Sequence, residues 1–343
     1  MGVQLETREG AILLALVDNF ILTGEPVGSR TLSKINALGL SAASIRNVMS
    51  DLTEQGFLEQ PHTSAGRVPS DKAYRYYVDA RAGEVPLAAE IRDAIDEVLG
   101  DFSGGLEQLL AITTRLLAEL TQFTGVVASP HMETTRLKML EFLRVNPQQV
   151  FVVLITQSNM VYSKILRVSE DLSQEFLNSV SRYLNEHFLS KSLVDIRRQV
   201  LDSLAEEKEQ YDQLLAQVAR LSKRAFDLSD ARELYVEGQS NIVKDLHDVR
   251  RIGSLLQALE EKFDIIALLD QTLTETGVNI SIGMENKLAC LEGCSVLTAQ
   301  YGERDNSLGA LAVIGPTRMN YQRVIPIVEY AARALTQAIA NHQ

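Results

Sequence analysis

Apolar residues change their spacing several times along this chain, and the changes divide it. From the N-terminus to about residue 123 they recur at helical intervals. Residues 6–22 carry Leu13, Leu16, Val17 and Phe20 on one face, and between Ser41 and Gly56 the positions Ile45, Val48, Met49 and Leu52 fall at i, i+3, i+4 and i+7, a single stripe on a helix. Ser41 is a natural N-cap and Gly56 a natural C′ residue, so both ends of that helix are written. A shorter helix precedes it, with Ser29 as N-cap, Leu32 and Ile35 as core residues and 36–40 as the turn between the two. Phe57–Gln60 and Arg67–Val68 read as the strands of a small wing around a turn at 61–66. Ser70 then caps a helix that points Tyr74, Tyr77 and Val78 inward and ends near Arg81.

Residues 82–86 have linker composition and 100–105 form a second break, with a short acidic spacer helix between them. Leu109, Leu110, Leu116, Leu117 and Leu120 predict a helix over 106–123, and residues 125–128 a strand. The period then shortens to that of strands. Residues 139–145, 150–156 and 161–167 form a meander with turns at 146–149 and 157–159. Residues 171–228 return to a polar-rich helical pattern, in which Leu204, Tyr211, Val218 and Ala225, with Leu214, Leu221 and Leu228, make a heptad-like seam. Strand patterns resume at 278–284, 295–301 and 308–314, and Val324, Ile327, Val328, Ala331, Leu335 and Ala338 form the buried stripe of a last helix. The order predicts an α+β, multidomain chain with a helical interruption.

The chemistry of interest lies opposite the first stripe. Ala42, Ala43, Arg46, Asn47 and Ser50 share the other face of the 41–56 helix. Arg pairs with guanine, Asn with adenine, and Ala fits a thymine methyl, in a major groove wide enough for a helix. A helix, a short Gly-containing turn and a helix form the matching scaffold. Residues 26–50 hold Arg30, Lys34 and Arg46 and no acid, and the wing adds His62, Thr63, Ser64 and Arg67. Lys72 and Arg75 are weighed as phosphate contacts against an ordinary solvated helix face.

Net charge of −12 over 343 residues argues against a general nucleic-acid coat and for local binding by a cytoplasmic protein. The first 30 residues lack the pattern of a secretory leader, and no window approaches the ~20 apolar residues of a membrane span. Cys290 and Cys294 read as small buried hydrophobes, because no third Cys or His lies near them, and the five histidines lack metal-ligand spacing. Phosphate-loop, nucleophile-elbow and dinucleotide motifs are missing, so no cofactor and no enzymatic activity are expected.

Several separated segments resemble the HrcA family of bacterial heat-inducible transcription repressors. They are Thr23–Leu32 (TGEPVGSRTL), Ser44–Asn47 (SIRN), Gln60–Pro69 (QPHTSAGRVP), Glu237–Asn241 (EGQSN), Ile282–Asn286 (IGMEN) and Ile314–Tyr321 (IGPTRMNY). The resemblance implies a winged helix-turn-helix over 1–82, a linker with a short helix over 83–105 and a GAF-like domain in two parts, 106–170 and 245–343. Between those parts it implies an inserted, largely helical dimerisation domain at 171–244. It also implies a homodimer on an inverted-repeat operator of the CIRCE type at chaperone operons, dependent on a GroEL-type chaperonin for its active fold. The DNA-contacting set is then Ser29, Arg30, Ser41, Ala42, Ala43, Ser44, Arg46, Asn47, Ser50, His62, Ser64 and Arg67. Glu285, Asn286 and Arg318 are expected to be structural. The alternative reading is a winged-helix regulator whose GAF-like domain senses a small molecule.

Overall fold

The computed structural model describes residues 5, 7–34, 39–62, 65–81, 85–100, 102, 104–130, 136–157, 161–168, 170–193, 195–196, 199, 233–241, 249–271, 277–303 and 306–341. The heptad-like seam at 204–228, Ile35 and most of the 36–40 turn lie outside them.

The N-terminal unit begins with α1 (Thr7–Thr23), which buries Ile12, Leu13, Leu16 and Val17 completely. It continues with α2 (Ser29–Ser33) and α3 (Ala42–Glu54). The stripe read from the sequence is the one that is covered: Ile45, Met49 and Leu52 are buried. Ser41 caps α3 by accepting the Ser44 N–H at 3.2 Å, and Gly56 at φ +78° lets Phe57 N–H reach Leu52 O at 2.9 Å. A hairpin of β1 (Leu58–Glu59) and β2 (Val68–Pro69) follows, with Val27 bridged to Arg67 beside it, and then α4 (Asp71–Arg81). One detail differs from expectation. Gly28, in extended conformation, is the cap of α2, and Ser29 is its first helical residue with only 8% of its surface exposed.

Helix α5 (Ala89–Leu99) is more than a spacer: it buries Ile95 and Leu99, and Asp96 accepts the Tyr330 hydroxyl at 2.8 Å. Helix α6 (Leu106–Thr121) leads into β3 (Thr124–Ala128). After β3 the chain leaves, makes β4 (Leu137–Asn146), β5 (Gln149–Thr156), β6 (Val161–Arg167) and α7 (Gln174–Phe188), and returns at β7 (Leu234–Glu237). Departure and return are adjacent, since Ser129 N–H donates to Glu233 O at 2.8 Å. Helices α8 (Val249–Glu261) and α9 (Phe263–Gln271), strands β8 (Val278–Ile282), β9 (Cys294–Glu303) and β10 (Asn306–Pro316), and helix α10 (Tyr321–Asn341) complete the order.

The strands form two larger sheets. The first is antiparallel in the order β7-β3-β10-β9-β8, and pairs residues as distant in sequence as Val126 and Ala312. Both its faces are covered. Val127, Leu297, Leu311 and Val313 meet α6 and α10 in a core continuous with that of the N-terminal unit, while Val126, Ala310, Ala312 and Ile314 pack with Leu255, Leu259, Ile265 and Leu269 of α8 and α9. Among the described residues the second sheet is the meander β4-β5-β6 alone. This corrects the grouping expected from sequence, in which 139–167 shared a unit with 278–314 and a boundary fell at 171. The meander instead packs its inner face on Leu177, Val180, Leu184 and Phe188 of α7. That helix also closes the free edge of β4: Asn185 bonds both N–H and O of Leu140, and Gln174 bonds Phe142 O and Arg144 N–H. Among the described residues no helix is long and apolar enough to cross a membrane.

Candidate nucleic-acid interface

Burying one stripe of α3 turns the other outward. Ala43, Arg46, Asn47 and Ser50 are exposed, with Ala42 and Ser44 half-buried beside them. The exposed face is not uniform along its length. Asp51 and Glu54, four residues beyond Asn47 and Ser50, are exposed too and would repel phosphate, so the usable part ends near Ser50. Recognition helices meet base edges with that end. Ser41 and Ser44 bond each other at 3.1 Å in addition to the cap, so their hydroxyls shape the helix start.

The wing is tied to the same helix. Arg67 donates from Nε to Thr53 Oγ1 at 3.0 Å, and Thr53 in turn donates to Met49 O at 2.7 Å. Arg67 is therefore held against the C-terminal turn of α3 before any ligand arrives. Thr53 was not legible as a site residue, because a helical threonine bonding back to the i−4 carbonyl carries no distinguishing sequence mark. His62 is exposed at the wing turn, Arg30 is exposed on α2, and Ser64 lies outside the described residues. Ser29, expected among the contacts, is buried and does not share this surface.

The two cations weighed for phosphate separate. Lys72 donates to Gln55 O at 3.0 Å and sits 4.2 Å from the Phe57 ring centroid, so it completes the C-terminal end of α3. Arg75 turns away, to Glu285 at 2.8 Å. Among the described residues no group of three or more His, Cys, Asp or Glu is placed to hold a metal; Cys294 is buried and Cys290 half-buried.

Comparison with known proteins agrees with what this geometry can do. Residues 107–325 match the family model described as the HrcA protein C terminal domain. The chain is 38% identical over 337 residues to the heat-inducible transcription repressor HrcA of Geobacter sulfurreducens, covering 98% of each chain. It is 37% identical over 338 residues to that of Xylella fastidiosa (98% and 96% covered) and 35% identical over 340 residues to that of Moorella thermoacetica (98% of each). A crystal structure described as a hypothetical protein shares the fold at a TM-score of 0.64 and 22% identity, over 99% of this chain and 100% of that one. Family model and near full-length relatives coincide on one conclusion: the chain belongs to the HrcA family of heat-inducible transcription repressors.

Proposed function

We propose that the chain represses transcription as a homodimer on an inverted-repeat operator of the CIRCE type, reading each half-site with α3 and steadying it with the hairpin. The N-terminal unit is then a winged helix-turn-helix, the five-stranded sheet with its helices is GAF-like, and the excursion between Ser129 and Glu233 is the inserted dimerisation domain. The observation that carries the reading is the capped helix α3, whose exposed face presents Ala43, Arg46 and Asn47 while its other face is locked in the core. Titrating operator and scrambled duplex at fixed salt tests it. Specific binding should exceed non-specific by about 10³ or more, and equal affinity would refute it.

Dimerisation is supported by the outer face of the three-stranded sheet. Cross-strand pairing sets Met139, Ile155 and Val161 in one row and Leu143, Phe151 and Ile165 in another, around Glu141, Val153 and Ser163. Met139, Leu143, Val161 and Ile165 are 38–60% exposed, an apolar patch that no element among the described residues covers. A second copy supplies the cover, and two-fold pairing of subunits matches a palindromic site.

Topology supports control by a chaperonin. The five-stranded sheet closes only when β3 finds β10 across the whole excursion, and such non-local pairing is slow and leaves apolar strands exposed meanwhile. If heat diverts chaperonin to other unfolded chains, active repressor falls with no heat-sensing residue needed. Refolding after brief heating should restore operator binding poorly alone and well with chaperonin and ATP. Complete spontaneous recovery would refute this part.

A second reading, a small-molecule sensor, has one feature in its favour. A cleft of about 500 Å³ lies between Leu234, Val236 and Gln239 on one side and Leu256, Leu259, Glu260 and Lys262 on the other. Operator affinity that moves with a small effector rather than with chaperonin would favour it.

A further inference from the structure

Two of the motifs singled out in the sequence, Ile282–Asn286 and Ile314–Tyr321, take no part in the α3 face, yet both close on the N-terminal unit. Helix α4 presents Asp71, Tyr74, Arg75 and Val78 at i, i+3, i+4 and i+7, and the first three meet the five-stranded sheet unit. Arg75 holds Glu285 with two parallel bonds, Nε to Oε1 at 2.8 Å and Nη2 to Oε2, and also bonds Ile280 O. Asp71 accepts the Met284 N–H at 2.9 Å. Gly283, at φ +52°, is where the Asp71 carboxylate presses in; a Cβ there would stand 1.9 Å from its Oδ2. Asn286 fixes the turn from behind, with its amide nitrogen near Gly283 O, Leu291 O and Cys294 O at 2.8–3.1 Å. The rings of Tyr74 and Tyr77 lie 6.1 and 6.5 Å from that of Tyr321, whose hydroxyl is bonded to Ser295 and Thr317.

A second grip lies at the end of α1. The Arg318 guanidinium sits over Gly24, 2.5 Å from where a Cβ would be, and reaches toward Ile21 O, so a cation meets a helix C-terminus. Helix α4 cannot yield on its own account. Ser70 bonds Gly56 O and Phe57 O at its start, and Tyr77 donates to Asp18 of α1 at 2.6 Å. Whatever holds α4 and the end of α1 therefore holds α3.

We propose that the Asp71/Arg75 contact with the Gly283–Glu285 turn, together with Arg318 at the end of α1, is a positioning latch that presets the direction in which α3 points from the body. Apolar packing alone tolerates sliding; a bidentate ion pair and a carboxylate seated on a glycine do not. The consequence rests on the reading of the chain as a dimeric operator binder. Two heads held at a set separation make the second half-site an intramolecular event, whose gain depends on the geometry being met. The latch residues would then set tolerance to half-site spacing without touching DNA.

The test uses the full chain and two independent variants, Arg75→Met on the head and Glu285→Gln on the body, the latter still able to accept the Ile282 N–H. Three duplexes are titrated: the native operator, the operator with about five base pairs, half a helical turn, inserted between half-sites, and a single half-site. Wild type should lose about thirtyfold or more on the inserted duplex, whereas each variant should lose under about threefold. On the native operator the variants should bind about three- to tenfold more weakly, with half-site affinity unchanged. Variants that match wild type on all three duplexes, bind the native operator more tightly, or lose half-site affinity would overturn the latch. Wild type that ignores the operator altogether would overturn the repressor reading instead.

Discussion

The two larger sheets are made of the same aliphatic and β-branched residues but end in different situations. In the five-stranded sheet alternate residues of β10 go to opposite cores, Leu311 and Val313 to one and Ala310, Ala312 and Ile314 to the other, and both are sealed by helices. In the three-stranded sheet Phe142, Val152 and Leu154 are sealed by α7, while Leu143, Val161 and Ile165 are left open. An antiparallel sheet with one wet face normally alternates apolar with polar. A sheet that is apolar on both sides and covered on one has capacity for a partner. Helix α3 makes the same point with opposite chemistry, since its open face is polar and suits a duplex rather than a protein.

The largest effect comes from placing one charge in each sheet. Val313→Lys buries an unpaired ammonium between two sealed layers and should abolish the cooperative unfolding transition. Ile165→Lys should leave a folded monomer with a cooperative thermal transition, lowered only by the lost subunit linkage, while converting dimer to monomer in sedimentation and removing tight operator binding. If Ile165→Lys unfolds the chain instead, the outer face is an internal contact and the contrast between the sheets collapses.

Next in size is the contrast between the faces of α3. Ile45→Ala should cost about 2–5 kcal/mol of stability. Arg46→Ala should leave stability alone and cost about 1–3 kcal/mol of discrimination at one base pair. Equal loss on operator and scrambled duplex would make Arg46 a phosphate contact. Arg67→Gln sharpens the picture further: a lost phosphate contact lowers the slope of log affinity against log salt by about one unit. An unchanged slope with altered base preference would move Arg67 to base reading.

The smallest effect is one of pH at the α4 contact. Burial pushes the Glu285 carboxyl up, but the Arg75 hydrogen bond, the Ile282 N–H and the Arg75 charge outweigh it and hold it below the ordinary carboxylate range. Its stabilisation is therefore present above the ordinary carboxylate value and is lost as pH falls through the depressed one. The pair is partly exposed, so the amount is small, under about 1 kcal/mol. Thermal stabilities of wild type and Glu285→Gln should differ at neutral pH and converge in acid; a gap that widens in acid would contradict the assignment.

Local pattern made part of this legible. The stripe and caps of α3 were readable because a helix is specified by neighbours three and four residues apart. The strand limits of the meander were readable from the β-rich runs and the turn residues between them. Sheet membership was not. Gln149–Thr156 is apolar at nearly every position, so its sequence fits a strand covered on both faces equally well, and only pairing shows that β5 joins β4 and β6 alone. Ser29 looked like a cap because cap residues are small and polar, but the backbone turns one residue earlier, at Gly28. Arg75 reads as either a phosphate contact or a solvated cation, because its partner, Glu285, is more than two hundred residues away. Each miss is a contact that sequence proximity does not encode.

In the function proposed above, two copies of this chain read an inverted repeat through the open face of α3. The decisive measurement is titration of purified chain against three duplexes, the intact operator, the operator with one half-site scrambled and the operator with both scrambled, with stoichiometry from sedimentation. Two chains should bind each intact duplex, with a loss of about 10³ or more when both half-sites are scrambled and an intermediate loss for one. One chain per duplex, or the same affinity on all three, would contradict it.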